Sequence, residues 1–278
     1  MASDNKDDYV FNRSYLDNVR INLQHYLICQ TFGYHIHPSI PTTNPTMRIA
    51  DVGTGTGIWL TDVSDRLPKS VTLDGLDISF DACPRKEWLP PNMTLHQWDI
   101  KSEVPEHLVG VYDLVSVRHF AFVLQEHELQ ETVDKLFRLL KPGGYLQWTD
   151  IDVSSQGIEK ISPDVNAEPQ ERIMSMFRGG DARLSTSWVP SLDSRFRDAG
   201  ATNVEVDRKV PPHHLGHWLF ETGFLAVEAL TRNSAIDEEK SSKIQASLRD
   251  SVAATREGSY AGFTRYTVIG QKRGEAVA

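Results

Sequence analysis

Residues 51–57, Asp-Val-Gly-Thr-Gly-Thr-Gly, stand between a strand-like run, MRIADV (47–52), and a helical one, IWLTDVSDRL (58–67). Three glycines within five positions let the chain turn tightly and bring its backbone against a ligand, beside the amide donors of the starting helix. A strand that ends in such a loop and opens a helix is the entry to a sheet with helical crossovers. The alternation continues. VTLDGLDI (71–78), MTLHQWDI (93–100), YDLVSVRH (112–119) and GYLQWTDID (144–152) read as strands, with an amphipathic helix at HELQETVDKLFRLL (127–140). Later, SLDSRFRDAG (191–200) reads as a helix with a glycine stop, and 178–181, Arg-Gly-Gly-Asp, as a turn. NVEVDRKV (203–210) and YAGFTRYTVIGQKR (260–273) alternate as strands, with helices over about 214–233 and 237–256 between them. The expectation is an α/β chain: a doubly wound, seven-stranded, mostly parallel sheet with helical insertions in its C-terminal half. Ahead of the sheet, Leu16, Val19, Leu23, Tyr26, Leu27 and Phe32 recur at helical spacing, and HPSIPTTNP (37–45) reads as a linker.

The loop implies a nucleoside ligand. Asp77 ends the next strand 20 residues beyond Gly57, where a carboxylate accepts both hydroxyls of a ribose. The loop is G-x-G-x-G, whereas a dinucleotide fold prefers G-x-G-x-x-G, and the chain has no Tyr-x-x-x-Lys pair. The third strand ends Trp98-Asp99-Ile100, and Asp99 is placed to receive the exocyclic amine of an adenine.

Charge narrows the partners. Lys and Arg total 29 against 38 Asp and Glu, a formal charge of −9, which argues against a nucleic-acid-binding body. The start, MASDNKDDYV, has neither the basic nor the apolar region of a signal peptide, and no apolar run approaches the roughly 18 residues of a membrane span. The expectation is a cytoplasmic protein without a membrane partner. Cys29 and Cys83 offer no disulfide framework and no zinc spacing, and read as two buried thiols.

The motifs DVGTGTG (51–57), GLDIS (75–79), QWDI (97–100), YDLV (112–115) and LLKPGGYLQW (139–148) together resemble the class I S-adenosylmethionine-dependent methyltransferases. DVGTGTGIW, WLPPN (88–92) and RINLQHYL (20–27) are similar to fungal methyltransferases of secondary metabolism, the LaeA-like group. The resemblance implies the Rossmann-like methyltransferase fold and S-adenosyl-L-methionine as cofactor. It implies that Asp51 holds the methionine ammonium, that Gly53, Gly55 and Gly57 pass beneath the methionine and ribose, and that Asp77 takes the ribose hydroxyls. Ile78 would pack on the adenine, Asp99 bind its amine, and the Ile100 amide a ring nitrogen. Arg118 and His119 would lie near the methionine end and the transferred methyl. The sequence departs from the group at 79–87, SFDACPRKE, where relatives carry a Ser-Pro pair.

Methyl transfer from a sulfonium is an in-line displacement that alignment can largely supply, with a base needed only for an acceptor that must lose a proton. His119 is the candidate base. His25, beside Arg20 and Gln24 on the N-terminal helix, is a candidate for the substrate pocket, as are Met174, Phe177, Trp188, His214 and Trp218. His213, His214 and His217 have metal-compatible spacing but no local carboxylate, so no metal is expected. The division expected is a tail and helical lid over 1–45 and a methyltransferase domain over 46–278. Within the latter, 46–152 is the cofactor half, and 153–202 and 211–258 are substrate-shaping insertions. The favoured reading is an enzyme that methylates an O, N or S atom of a hydrophobic small molecule, with a homodimer contact as an alternative use of the same apolar side chains. A LaeA-like regulator acting through protein partners, and a cofactor-retaining enzyme of rearrangement or cyclisation, are the competing readings.

Overall fold

β1 (Arg48–Val52) has no polar alternation: Ile49, Ala50 and Val52 are all buried, as a strand covered on both faces requires. In a computed structural model, which describes residues 14–178, 186–231 and 238–274, β1 is central in a seven-stranded sheet of order β3-β2-β1-β4-β5-β7-β6. β2 (Thr72–Asp77), β3 (Met93–Gln97), β4 (Tyr112–Arg118) and β5 (Leu140–Lys160) continue it in parallel. β7 (Ser259–Gln271) inserts antiparallel between β5 and β6 (Thr202–Lys209). The chain leaves β1 toward β2 and β3, then returns to place β4 on the other side. That reversal opens a crevice at the carboxyl ends of β1 and β4, the place where open α/β sheets bind ligands.

Helices cover both faces. α3 (Leu129–Leu139) and α5 (Leu192–Asp198) pack Val133, Leu136 and Phe196 on one, and α2 (Ile58–Ser64) packs Trp59, Leu60 and Val63 on the other. A third apolar cluster joins α4 (Glu168–Arg178), α6 (His213–Thr231) and α7 (Glu238–Glu257) to β7 through Ile173, Phe220, Leu248 and Ala261.

Three segments differ from expectation. β5 runs on to Lys160 instead of ending at 152. Its ladder to β7 breaks between Asp152 and Gly157, where Thr264 N–H donates to Ser155 Oγ instead of a strand carbonyl, and then resumes. The 37–45 segment is tied down: Gln147 Oε1 accepts the His37 N–H at 2.7 Å, and Ile40 joins the core cluster of Trp59. In α1 (Tyr15–Phe32) much of the apolar stripe faces outward, with Val19 53% and Leu23 44% exposed, while Asp17, Arg20 and His25 are buried. The helix inverts the usual pattern because its inner face meets a polar site; only its last turns, with Leu27, Ile28 and Phe32, pack apolar on Leu215 and Leu219 of α6. The 178–181 turn falls mainly in 179–185, outside the described residues.

Candidate functional site

The loop after β1 keeps its shape through backbone donors and one carboxylate. Gly53 and Thr54 donate their N–H groups to Leu76 O at 2.8 and 3.2 Å, and Gly55 N–H donates to Asp77 Oδ2 at 2.8 Å. Gly53, Gly55 and Gly57 all have positive φ (70°, 56° and 74°), the region where a side chain is strained. Cys83, free and half-buried rather than fully buried, donates its thiol to Gly55 O at 3.0 Å; Cys29 is half-buried too. Asp77 also accepts from Ser79 N–H at 3.2 Å. On the next strand end, Asp99 is half-buried and its carboxylate accepts the Lys101 N–H at 2.9 Å. Ile78 is half-buried beside Asp77, and Ile100 is buried beside Asp99. The acids of β1, β2 and β3 therefore stand at neighbouring strand ends.

Asp51 is the deepest of them. Its Oδ2 is buried with no hydrogen-bond partner in the structure. Burial pushes its carboxyl up to about 6, against the pull of Arg118. Arg118, at the end of β4, donates from NH1 to His25 Nδ1 at 2.9 Å. An arginine can only donate, so His25 carries its proton on Nε2, which donates to Asp62 Oδ2 at 2.9 Å. His35 Nε2 meets the same oxygen at 2.6 Å. Burial, then Arg118, lowers His25 to about 4, so the ring is neutral. Burial alone would raise Asp62, but the hydrogen bonds from His25 and His35 hold it below the usual carboxylate range. His25 thus positions Arg118. Its ligand atoms lie within 4.8 Å of those of Cys29 and His35, but both its nitrogens are already engaged.

His119 follows Arg118 in the left-handed region, φ 62° and ψ 36°, an unusual conformation for a side-chain-bearing residue and one that marks functional turns. Its ring is held far below its ordinary pKa by burial first, then by Arg118, Arg265 and Arg20. The next turn, Phe120–Phe122, is pinned by Asp150 Oδ2, which accepts Phe120 N–H at 2.7 Å and Ala121 N–H at 3.0 Å.

A cavity opens between the β5–β7 face and α6, with Phe122, Ile151, Val153, Phe220 and Phe263 among its walls. Met174 of α4 lines it, and Arg20 and Gln24 of α1 reach it. The side chain of Phe177 lies outside the described residues. His25 sits in the Arg118 network and is not part of the cavity wall. Trp188 does not line it either: it is buried in the main core, edge-on to Trp148 at 5.8 Å. His214 and Trp218 meet edge to face at 5.6 Å on the outer side of α6, with Trp218 46% exposed. The lining positions of α6 are 216, 219, 220, 223, 224, 226 and 227, on the opposite arc of the helix. The three histidines of α6 do not converge: His213 meets Tyr260 OH at 3.0 Å and His217 faces Glu221 at 3.7 Å.

A glycine loop at the switch point of the sheet thus stands beside the turn whose Phe122 lines an apolar cavity, and residues 24–229 match the family model described as a methyltransferase domain. The chain belongs to that family. It is 35% identical over 146 residues to methyltransferase grgD of a Penicillium species, covering 50% of this chain and 50% of that protein. It is 33% identical over 204 residues to N-methyltransferase tcpN of Claviceps purpurea, 69% of this chain and 68% of that one. The chain spans between half and two-thirds of the length of these curated relatives. Phosphoethanolamine N-methyltransferase 2 of Haemonchus contortus shares the fold, with a TM-score of 0.54 at 13% identity over 96% of this chain and 59% of that one. The seven-stranded sheet is the Rossmann-like methyltransferase sheet expected from the motifs.

Proposed function

We propose that this protein transfers a methyl group from S-adenosyl-L-methionine to an O, N or S atom of an apolar small molecule held over β5 and β7. One observation carries the reading. The Phe120–Phe122 turn touches both halves of the site: an added Cβ at Gly53 would lie 2.4 Å from the Phe120 ring, and Phe122 lines the cavity. The cofactor supplies the methyl group on a sulfonium, which leaves by in-line displacement. The residues present fit it: the unpartnered Asp51 oxygen suits the methionine ammonium, and the positive-φ glycines suit close passage of the backbone.

The chain's own residues orient and desolvate. Asp77 accepts the ribose hydroxyls while holding Gly55, Ile78 packs on the adenine, and Asp99 and the Ile100 amide take its edge. Arg118, held by His25, balances the charge of Asp51. His119, the candidate base for an acceptor that must lose a proton, is neutral, but the burial that keeps it so also weakens it as a base. Within 153–202 and 211–258, α4 and α6 line the acceptor cavity beside a cofactor half at 46–152, and within the tail and helical lid of 1–45 it is α1 that reaches the cavity. The acceptor is a small molecule.

Calorimetric binding of S-adenosylhomocysteine tests the cofactor half, and incubation with methyl-labelled cofactor and apolar metabolites tests transfer by mass spectrometry. Absence of binding overturns the reading; binding with a methylated product is the expected result.

Asp51 gives the binding a pH dependence. With its carboxyl raised to about 6, Asp51 is ionised above that pH and protonated below it, and only the carboxylate pairs with an ammonium. Affinity for S-adenosylhomocysteine therefore falls by about tenfold from pH 7 to pH 5. Titrations of Asp51→Asn should be weak and flat over the same range; a wild-type affinity independent of pH would remove Asp51 from the ammonium.

A further inference from the structure

The polar groups in the cavity wall are not equivalent. Arg20 donates from Nε and NH2 to Asp17 Oδ1 at 2.9 and 2.5 Å and from NH1 to Gln24 Oε1 at 3.0 Å. Gln24 Nε2 in turn donates to Thr222 Oγ1 of α6 at 2.9 Å. That charge is matched and its side chain is held.

Arg265 differs. It lies on β7 opposite Ile151 of β5 and Lys209 of β6, and it follows Ala261 and Phe263 along the strand face that lines the cavity. It is only 5% exposed. Its guanidinium makes no hydrogen bond or ion pair among the described residues, and Nε is a buried donor without a partner. Asp150 acts on it through space, but the Asp150 oxygens are occupied: Oδ2 by Phe120 N–H, Ala121 N–H and Trp148 Nε1–H, and Oδ1 by Ile151 N–H. Burial lowers the guanidinium to about 10, so it is charged at neutral pH.

An unpartnered buried charge destabilises a fold, and a guanidinium presents several donors in a fork that fits a carboxylate in two contacts. We infer that Arg265 anchors a carboxylate of the acceptor, which makes the substrate class an apolar monocarboxylic acid. The inference rests on the cavity being the acceptor pocket proposed above. Charge decides between anions. Arg20 is matched by Asp17, whereas Asp150, the carboxylate that acts on Arg265, makes no ion pair with it, so one guanidinium lacks a direct counter-ion. A monoanion neutralises it, whereas a phosphate dianion would leave negative charge against apolar walls. The methionine end of the cofactor is assigned to Asp51, on which Arg118 acts, and neither residue lines the cavity.

The test uses the full chain saturated with S-adenosylhomocysteine and paired probes: 4-phenylbutyrate against 4-phenylbutyramide, and indole-3-acetate against its amide, with phenyl phosphate as a third arm. Calorimetry should show each acid binding at least about tenfold tighter than its amide, the scale of a charge-assisted hydrogen-bond pair. Arg265→Met should bring each ratio to within about twofold and leave S-adenosylhomocysteine affinity unchanged. It should also melt about 2–4 °C above the wild type, because the uncompensated charge is gone. Arg265→Lys should keep a reduced preference. Acid and amide binding alike, no acid binding at all, a preference that survives in Arg265→Met, or phenyl phosphate binding tightest would each overturn the anchor. A fall in S-adenosylhomocysteine affinity or in melting temperature in Arg265→Met would overturn it too, by assigning the guanidinium to the cofactor or to the fold. The two readings fail separately: a wild type that binds no S-adenosylhomocysteine sinks the methyltransferase reading, and one that binds it without preferring acids sinks only the anchor.

Discussion

Asp77→Ala should weaken S-adenosylhomocysteine binding by about 1–3 kcal/mol, roughly five- to 150-fold, measured by calorimetry at pH 7.5. The size follows from two tasks that meet in one carboxylate. Its Oδ2 accepts Gly55 N–H at 2.8 Å and so holds the middle of the loop, and Oδ1 accepts Ser79 N–H. In the proposed role, ribose hydroxyls would donate to the same carboxylate. Asp77→Asn separates the tasks. An amide oxygen can still take the Gly55 N–H while the amide nitrogen gives up the bond from Ser79 N–H, so the melting temperature should fall less than in the alanine variant, while the charge-assisted bonds to the hydroxyls are lost. The alanine variant should lose both, with a lower melting temperature as well as weaker binding. If both variants bind S-adenosylhomocysteine like the wild type, Asp77 serves the loop alone and the ribose lies elsewhere.

The glycine loop and the strands around it were legible because their signals are local. Three positive-φ positions need glycine, and a carboxylate at a strand end needs only the strand before it, so DVGTGTG and Asp77 can be read without tertiary contacts. The acceptor half was not legible for the opposite reason. Trp188 is aromatic and near the insertions, as a pocket residue would be, yet the packing against Trp148 puts it in the core. His214 and Trp218 have the right composition and the wrong helical phase, and only the docking of α6 on β7 sets that phase. Asp62 reads as an ordinary helix acid; its pairing with His25 and His35 brings together α2, α1 and the segment after α1. Arg265 does carry a local signal. In YAGFTRYTVIG, strict alternation places an arginine on the face of Ala261 and Phe263, and a charge in an apolar strand row asks for a partner. The inverted polarity of α1 follows the same logic: Gln24 and His25 face inward because Thr222 and Arg118 meet them there as hydrogen-bond partners.

Gly53→Ala should be among the most costly single substitutions in the loop. At φ 70° a side chain costs about 1–2 kcal/mol for conformation alone. The added Cβ would also stand 2.4 Å from Phe120 Cε2 and 2.7 Å from Cζ, closer than non-bonded atoms approach. The Phe120 ring cannot swing away freely. It is buried edge-on to Trp148 at 5.9 Å, and its backbone N–H is held by Asp150. Strain and overpacking together come to about 2–4 kcal/mol, which for a chain of this size lowers the melting temperature by about 4–16 °C. Phe120→Ala in the same background should restore the overpacking share and leave the conformational share, so the two substitutions should be strongly non-additive. Additive effects would show that the ring yields without cost. The coupling has a functional reading as well, because the turn that receives the push from Gly53 also presents Phe122 to the cavity. In Gly53→Ala, binding of 4-phenylbutyrate should weaken along with binding of S-adenosylhomocysteine, although Gly53 itself does not line the acceptor cavity. An acid affinity untouched in that variant would show that the turn does not connect the two halves of the site.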